Sequence, residues 1–406
     1  MNILYICNEY PPGKAGGIGS ATRNLAKELV RNGHAVYISG LYMPGYGQKD
    51  YEEIDGIKIW RRRLSIDIGL IRNNYSITDA VVKRFCTATG ILSQSFRKAM
   101  HDFICFLHEI ISEYKIDIIE WPDFNEYFQY VYEGIPYQKF SVPVVVKLHG
   151  TDSYIKKQTS QPFQPGVYAS EKKHIHCANA VVAVSNHTAQ QYASFYELDK
   201  AIIVLYNSIT IQPIVAYANS EEAVIVFAGS LSKTKGLASL LRAWNIVHQK
   251  YTGAVLQIFG KGKPGKFISL LDKTARGSVI FKGFACATVL DDVFSRATAA
   301  VFPSYTECFS IVPMEAMANG CPVIFTERAS GPELINDGVN GLLVDPDDPA
   351  KIAVAITRLL SDAQLRKSFS VNGRQTVAKN FNIIDSANAH LQLYKTVIEN
   401  YNHGAI

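Results

Sequence analysis

Short apolar strands alternate with helical stretches along this chain, and that alternation leaves little choice but parallel α/β sheets. The first series runs Ile3 to Cys7, a helix from about Ser20 to Asn32, then Ala35 to Ser39, with later strands expected at Ile116 to Ile119, Val142 to Leu148, Ala180 to Val184 and Ile202 to Leu205. The stretch NSITIQPIVAYANSEEA breaks the period and carries Pro213, Asn219 and Ser220, which reads as a linker. A second series then starts: a strand at Ala223 to Ala228, a helix from about Gly236 to Tyr251, and strands at Val255 to Phe259, Val279 to Phe281, Ala299 to Phe302 and Val323 to Phe325. Helices are expected near Pro349 to Leu360, Gln364 to Val377 and Ile383 to Tyr401. With 406 residues at 48% apolar content, the chain has enough material for two cores, and two domains are expected, 1–210 and 220–380.

Charge excludes one class of partner. A net charge of +5 from 41 basic and 36 acidic residues is too mild for a nucleic-acid footprint. The seven cysteines are scattered singly, without metal spacing or a disulfide frame, as in a cytoplasmic protein. Phe103 to Ile119 is broken by His108, Glu109, Glu113, Lys115 and Asp117, so it does not read as a membrane span, and MNILYICNEYPP lacks a signal layout. A cytoplasmic location is expected. Trp60, Arg61, Arg62 and Arg63, with Lys83, Arg84, Arg97 and Lys98, sit among apolar residues and read either as a solvated face or as a peripheral contact with the inner face of the membrane.

The chemistry concentrates in TECFSIVPMEAMANG. Ala299 to Phe302 precedes it as a buried strand, Pro313 suits a first helical position and Gly320 a helix end, so Glu307 is expected in a loop and Glu315 in the first helical turn. The free amides and positive dipole end of such a helix favour a diphosphate, and the two carboxylates can accept bonds from sugar hydroxyls. The same pair also fits a solvated loop acid beside a dipole-complementing acid. Gly16, Gly17 and Gly19 follow the first strand, but Thr22 takes the last place of a dinucleotide fingerprint and VYISGLY supplies no acid for a ribose, which disfavours a nicotinamide enzyme. His149 ends the strand VPVVVKLHG, at the edge where α/β clefts open, and Asp152 follows three positions later.

The segment from FPSYTECFSIVPMEAMANGCPVI through SGPELINDGVNGLLVDPDD resembles the donor-binding segment of family 4 glycosyltransferases, and the resemblance recurs from Asn2 onward. It implies the GT-B architecture, two Rossmann-like domains facing across a cleft, with the carboxyl-terminal helix (383–406) crossing back to complete the first, acceptor-binding domain and with the second binding the donor. It also implies a retaining, metal-independent transfer of a hexose from a nucleotide-sugar, UDP-glucose by default, to a glycan or lipid-linked acceptor, with no cofactor, in envelope or extracellular polysaccharide assembly. His149 is then expected to contact the transferred sugar, Glu307 the sugar hydroxyls, Glu315 the ribose, and Lys235 with the amides of Phe309, Ser310 and Ile311 the diphosphate. Gly16, Gly17 and Ile18 would meet the diphosphate or the acceptor, and Phe284 the base. FAGSLSKTKGL keeps Lys235 and Gly236 of the family motif but has Ser230 where arginine is usual, losing a fork of donors. A nucleotide-sugar epimerase, a phosphorylase and a binding protein without turnover stand as alternatives.

Overall fold

The computed structural model describes residues 1–13, 16–42, 46, 48–64, 86, 89–129, 140–211 and 223–404, apart from the side chains of residues 126 and 129. Lys83, Arg84, Pro213, Asn219 and Ser220 lie outside the described residues. The chain divides into two compact units: residues 1–184, 188–205 and 383–406, and residues 185–187 and 206–382.

The first unit holds an eight-stranded sheet. Its strands are β1 (Asn2–Ile6), β2 (Ala35–Tyr42), β3 (Tyr51–Ile54), β4 (Ile57–Arg63), β5 (Ile118–Pro122), β6 (Val144–Leu148), β7 (Ala180–Ala183) and β8 (Ile202–Val204), in the order β3-β4-β2-β1-β5-β6-β7-β8. All neighbours run parallel except β3 against β4. That antiparallel pair was not read from the sequence; Asp55 and Gly56, both at positive φ, turn the chain between its strands. Helix α1 (Gly17–Arg31) starts three residues before the expected Ser20, with Gly16 as its extended N-cap and Gly17 to Gly19 in its first turn. Its buried Leu25, Ala26 and Leu29 cover one face of the sheet beside the carboxyl-terminal helix Ile383–Asn402. The latter buries Ile383, Ala387, His390, Leu391, Leu393, Tyr394 and Val397; Ile383, Ala387, His390, Tyr394 and Val397 recur every three or four residues, so one stripe faces the core.

Five charged or ring-bearing side chains sit inside that contact. Lys147, in the fully buried strand VVVKL, lies 2.9 Å from His390 Nε2 and 3.8 Å from Glu120. His390 Nδ1 donates to the Ser386 carbonyl at 2.7 Å, which leaves Nε2 to accept from the Lys147 ammonium. Burial, reinforced by Lys147, holds the His390 ring neutral. Tyr394 donates to Glu120 Oε2 at 2.6 Å and pairs with the Tyr5 hydroxyl at 2.9 Å. Each buried polar group thereby has a partner, and the last helix is fixed to β1, β5 and β6.

The second unit is a six-stranded, all-parallel sheet. Strands β9 (Val224–Ala228), β10 (Val255–Phe259), β11 (Val279–Gly283), β12 (Ala299–Phe302), β13 (Val323–Thr326) and β14 (Leu342–Val344) follow the order β11-β10-β9-β12-β13-β14. Strands buried on both faces explain the uninterrupted apolar runs VIVFA and AAVF. Trp244, Leu240 and Leu241 of the helix Leu237–Lys250 pack with Ile352, Ile356 and Leu359 of the helix Pro349–Ser361 over β9, β10 and β12.

Replacing Tyr394 with Phe leaves Glu120 and Tyr5 without their buried partner, and we expect urea unfolding to show a loss on the order of 2 kcal/mol. An unchanged midpoint would mean that the network does not hold the helix.

Candidate active site

Strands β9 and β12 are neighbours in the sheet although β10 and β11 intervene in sequence, so the order reverses between them. Crevices open at the carboxyl ends of strands at such a reversal. The loop after β9 carries Ser230 and Lys235, and the loop after β12 carries Glu307. The two loops touch because Gly236, at φ +70°, has no side chain: a Cβ there would stand 1.7 Å from the Pro303 carbonyl oxygen. The Tyr305 amide then donates to the Thr234 carbonyl at 2.8 Å.

This approach sets Lys235 Nζ 2.6 Å from Glu307 Oε1, with the carboxylate side chain 9% exposed and the lysine 31%. Ser304 Oγ donates to the same carboxylate oxygen at 2.8 Å. A carboxylate with two donors and a half-buried ammonium form one charged unit with a fixed geometry.

The helix after this loop, Ile311–Ala318, corrects the expected start. Pro313 is its third residue and Glu315 its fifth, beyond the first turn. Proline tolerates any position whose amide has no acceptor in the helix, so it marks the first turn rather than the first residue. Among the described residues, no group accepts from the amides of Phe309, Ser310 or Ile311. Among the described residues, no group donates to the Glu315 carboxyl group; burial first, and Asp291 second, push that carboxyl up to about 7.

Ser230 is exposed and lies 3.0 Å from the Ser232 hydroxyl, so the position has no charge. Phe284, after β11, is 60% exposed, with Lys261 Nζ 4.4 Å from its ring centroid.

In the first unit, His149 follows β6 and is held through its main chain. The buried Asp123 carboxylate accepts from the His149 amide at 2.8 Å, from the Gly150 amide at 3.2 Å and from the Tyr192 hydroxyl at 2.6 Å. Burial raises Asp123 to about 6, and burial with the nearby Lys147 lowers His149 to about 3, so the imidazole is neutral at physiological pH. Asp123 was not singled out in the sequence, although its place at the carboxyl end of the buried β5 marks it. Asp152 instead pairs with Lys156 at 2.6 Å within one helix.

Gly16 and Gly17 open helix α1, with Ile18 second in it. The Gly19 amide donates to Glu9 Oε1 at 3.1 Å, and a Cβ on Gly16 would stand 2.6 Å from the other Glu9 oxygen. A carboxylate thus lies against this turn, which opposes an anion at the Gly19 amide. The basic cluster of the same unit also changes: Arg61 is buried and pairs with Glu52, and Arg63 pairs with Asp50, leaving Arg62 exposed over Phe106. Alternation along β4 turns Arg61 inward, which a reading of charge alone does not register. Among the described residues, no helix is long and apolar enough to cross a membrane, and no group of three or more His, Cys, Asp or Glu is placed to hold a metal.

Two family models match in succession, Glycosyltransferase Family 4 over residues 15–212 and Glycosyl transferases group 1 over residues 211–376. The chain is a glycosyltransferase of the GT-B type. It is 27% identical to the uncharacterized glycosyltransferase MJ1607 of Methanocaldococcus jannaschii, covering 98% of this chain and 99% of that one. Its fold matches sucrose-phosphate synthase from Thermosynechococcus elongatus, with a TM-score of 0.78 at 20% identity over 98% of this chain and 99% of that chain. It also matches Anabaena HepE in complex with UDP-glucose, at 0.69 and 16% over 98% and 100%.

The raised Glu315 carboxyl has a consequence for stability. Its pKa lies above the usual 4.5, so ionising it disfavours the fold; that penalty is absent in acid and grows as pH rises through about 7. Glu315→Gln is expected to be more stable than the parent at about pH 8, on the order of 2 kcal/mol, with the difference gone by about pH 4. Thermal melts across that range check this, and a variant no more stable at the alkaline end contradicts it.

Proposed function

We propose that this glycosyltransferase moves a hexose, glucose first among candidates, from a UDP-sugar to a glycan or lipid-linked acceptor, with retention at the anomeric carbon and without a metal. The observation that carries the reading is the Lys235–Glu307 pair at 2.6 Å, next to a run of amides for which no described residue is an acceptor. As the bond between sugar carbon and phosphate oxygen breaks, the sugar becomes cationic and the diphosphate gains negative charge. Lys235 and the amides of Phe309, Ser310 and Ile311 meet that charge. Glu307 accepts from sugar hydroxyls, and Glu315 takes the ribose hydroxyls, for which no described residue offers its carboxyl a competing donor. His149, neutral and held by Asp123 through its main chain, contacts the transferred sugar.

The choice of uridine is supported by fold neighbours: Anabaena HepE was solved with UDP-glucose, and a Staphylococcus aureus TarM variant with UDP. Retention follows from attack of the acceptor hydroxyl on the face the diphosphate leaves, for which no protein nucleophile is required. Acceptor-dependent release of UDP from labelled UDP-glucose tests the reading. An isomerised donor without acceptor would favour an epimerase, and saturable binding without product would favour a carrier protein, the outcome that the uncharged Ser230 makes worth testing.

Glu307→Gln should lower transfer by about 100-fold or more while UDP still binds, since a group aimed at developing charge is worth that much. Turnover equal to the parent removes Glu307 from the reaction. Among the described residues, attachment of the first unit to an anionic membrane rests on Arg62, Arg97 and Lys98, which are exposed. Pelleting with anionic vesicles should weaken as salt is raised; pelleting that ignores salt, or none at all, rejects it.

A further inference from the structure

The loop that carries Glu307 is held by side chains from three distant segments. Ser330 Oγ donates to the Glu307 carbonyl at 3.3 Å, Ser185 Oγ to the Cys308 carbonyl at 2.6 Å, and Asn207 Nδ2 to the Phe309 carbonyl at 2.9 Å. Three successive carbonyls are therefore each fixed by a buried donor; Ser185 and Ser330 are fully buried and Asn207 nearly so. A trans peptide is planar, so its carbonyl and the following amide point in opposite directions. Fixing the Cys308 carbonyl aims the Phe309 amide away from Ser185, and fixing the Phe309 carbonyl aims the Ser310 amide away from Asn207. These are two of the amides for which no described residue supplies an acceptor.

Asn207 gives a second line of argument. Its Oδ1 is buried without a hydrogen-bond partner, a state that costs stability. A position chosen for packing alone would hold an apolar side chain of similar size. The asparagine is placed for the single bond it donates. The Phe309 ring adds a lock of its own, lying 4.8 Å from Tyr206 and 5.1 Å from Phe381, centroid to centroid.

We propose that Ser185 and Asn207 are positioning residues for donor binding, turning the Phe309 and Ser310 amides toward the diphosphate, while Ser330 holds the main chain that presents the Glu307 carboxylate. The proposal rests on the reading of this segment as the diphosphate site. None of the three touches the donor.

The test uses the full chain and its Ser185→Ala, Asn207→Ala and Ser330→Ala variants, with UDP and uridine as probes in calorimetry and with thermal melts on the same samples. The parent should bind UDP more tightly than uridine. Ser185→Ala and Asn207→Ala should each weaken UDP by about three- to ten-fold, the worth of one oriented hydrogen bond, with uridine unchanged. Ser330→Ala should instead lower kcat with a smaller change in UDP affinity. A merely structural role would weaken both probes together or only lower the melting temperature, and either result overturns the assignment. Folded variants that keep the parent's UDP affinity overturn it as well. A parent that does not distinguish UDP from uridine defeats the diphosphate site itself, and the positioning role falls with it.

Discussion

The near-contact of Gly236 with the Pro303 carbonyl is the constraint on which the second unit's site depends. Any side chain at 236 would drive the two loops apart, because a Cβ would lie 1.7 Å from a backbone oxygen that cannot swing away. With hydrogen there, the loops after β9 and β12 join through Tyr305 and Thr234, and Lys235 meets Glu307 at 2.6 Å. The pair is possible only because the sheet reverses its order between those two strands. Topology supplies the neighbourhood, and one absent methyl group supplies the distance.

The first unit solves a different problem with the same means. Its sheet is completed by a helix drawn from the far end of the chain, and the contact buries a lysine, a glutamate, a histidine and two tyrosines. A wholly apolar seam would bind the helix as firmly but would tolerate sliding by a turn. Directional bonds from Lys147 to His390 and from Tyr394 to Glu120 match only one register. The same strand, β6, leads directly to His149, whose amide and that of Gly150 are gathered by Asp123. Order at the strand's end is thus inherited from order in its middle.

The fold was legible because parallel strands buried on both faces leave unmistakable apolar runs, as in VVVKL, VIVFA and AAVF. The antiparallel pair β3 and β4 was not, although Asp55-Gly56 is a hairpin signal, since Arg61 occupies an inward place that normally takes an apolar residue. The partner Glu52, across the hairpin, the Lys49 carbonyl and the rings of Tyr42 and Tyr46 make that burial tolerable. The chemical residue types near Glu307 could be read from their string, but the 2.6 Å pairing with Lys235 depends on strand order, which periodicity does not encode. The residues that hold the loop, Ser185, Asn207, Ser304 and Ser330, are single polar side chains spread over the chain without a motif. Asp123 was missed for a similar reason: its role exists only once β5 and β6 lie side by side.

Ser230 ties these points together. In the proposed scheme a guanidinium would bring formal charge and five donors on a mobile stem, and it could adjust to the diphosphate as charge grows. With a serine there, compensation falls to one ammonium and a row of peptide dipoles. Dipoles assist a developing charge only if they already point at it, because turning them during the reaction would consume the stabilisation they provide. A loop free to rotate its peptides would therefore be a poor substitute for arginine. The loop at 307–309 is not free: each of its carbonyls is bonded to a side chain, and its one aromatic ring is packed against two others. In that scheme, rigidity in the backbone would take the place of charge in the side chain, and the demand for that rigidity is highest in a chain that lacks the arginine.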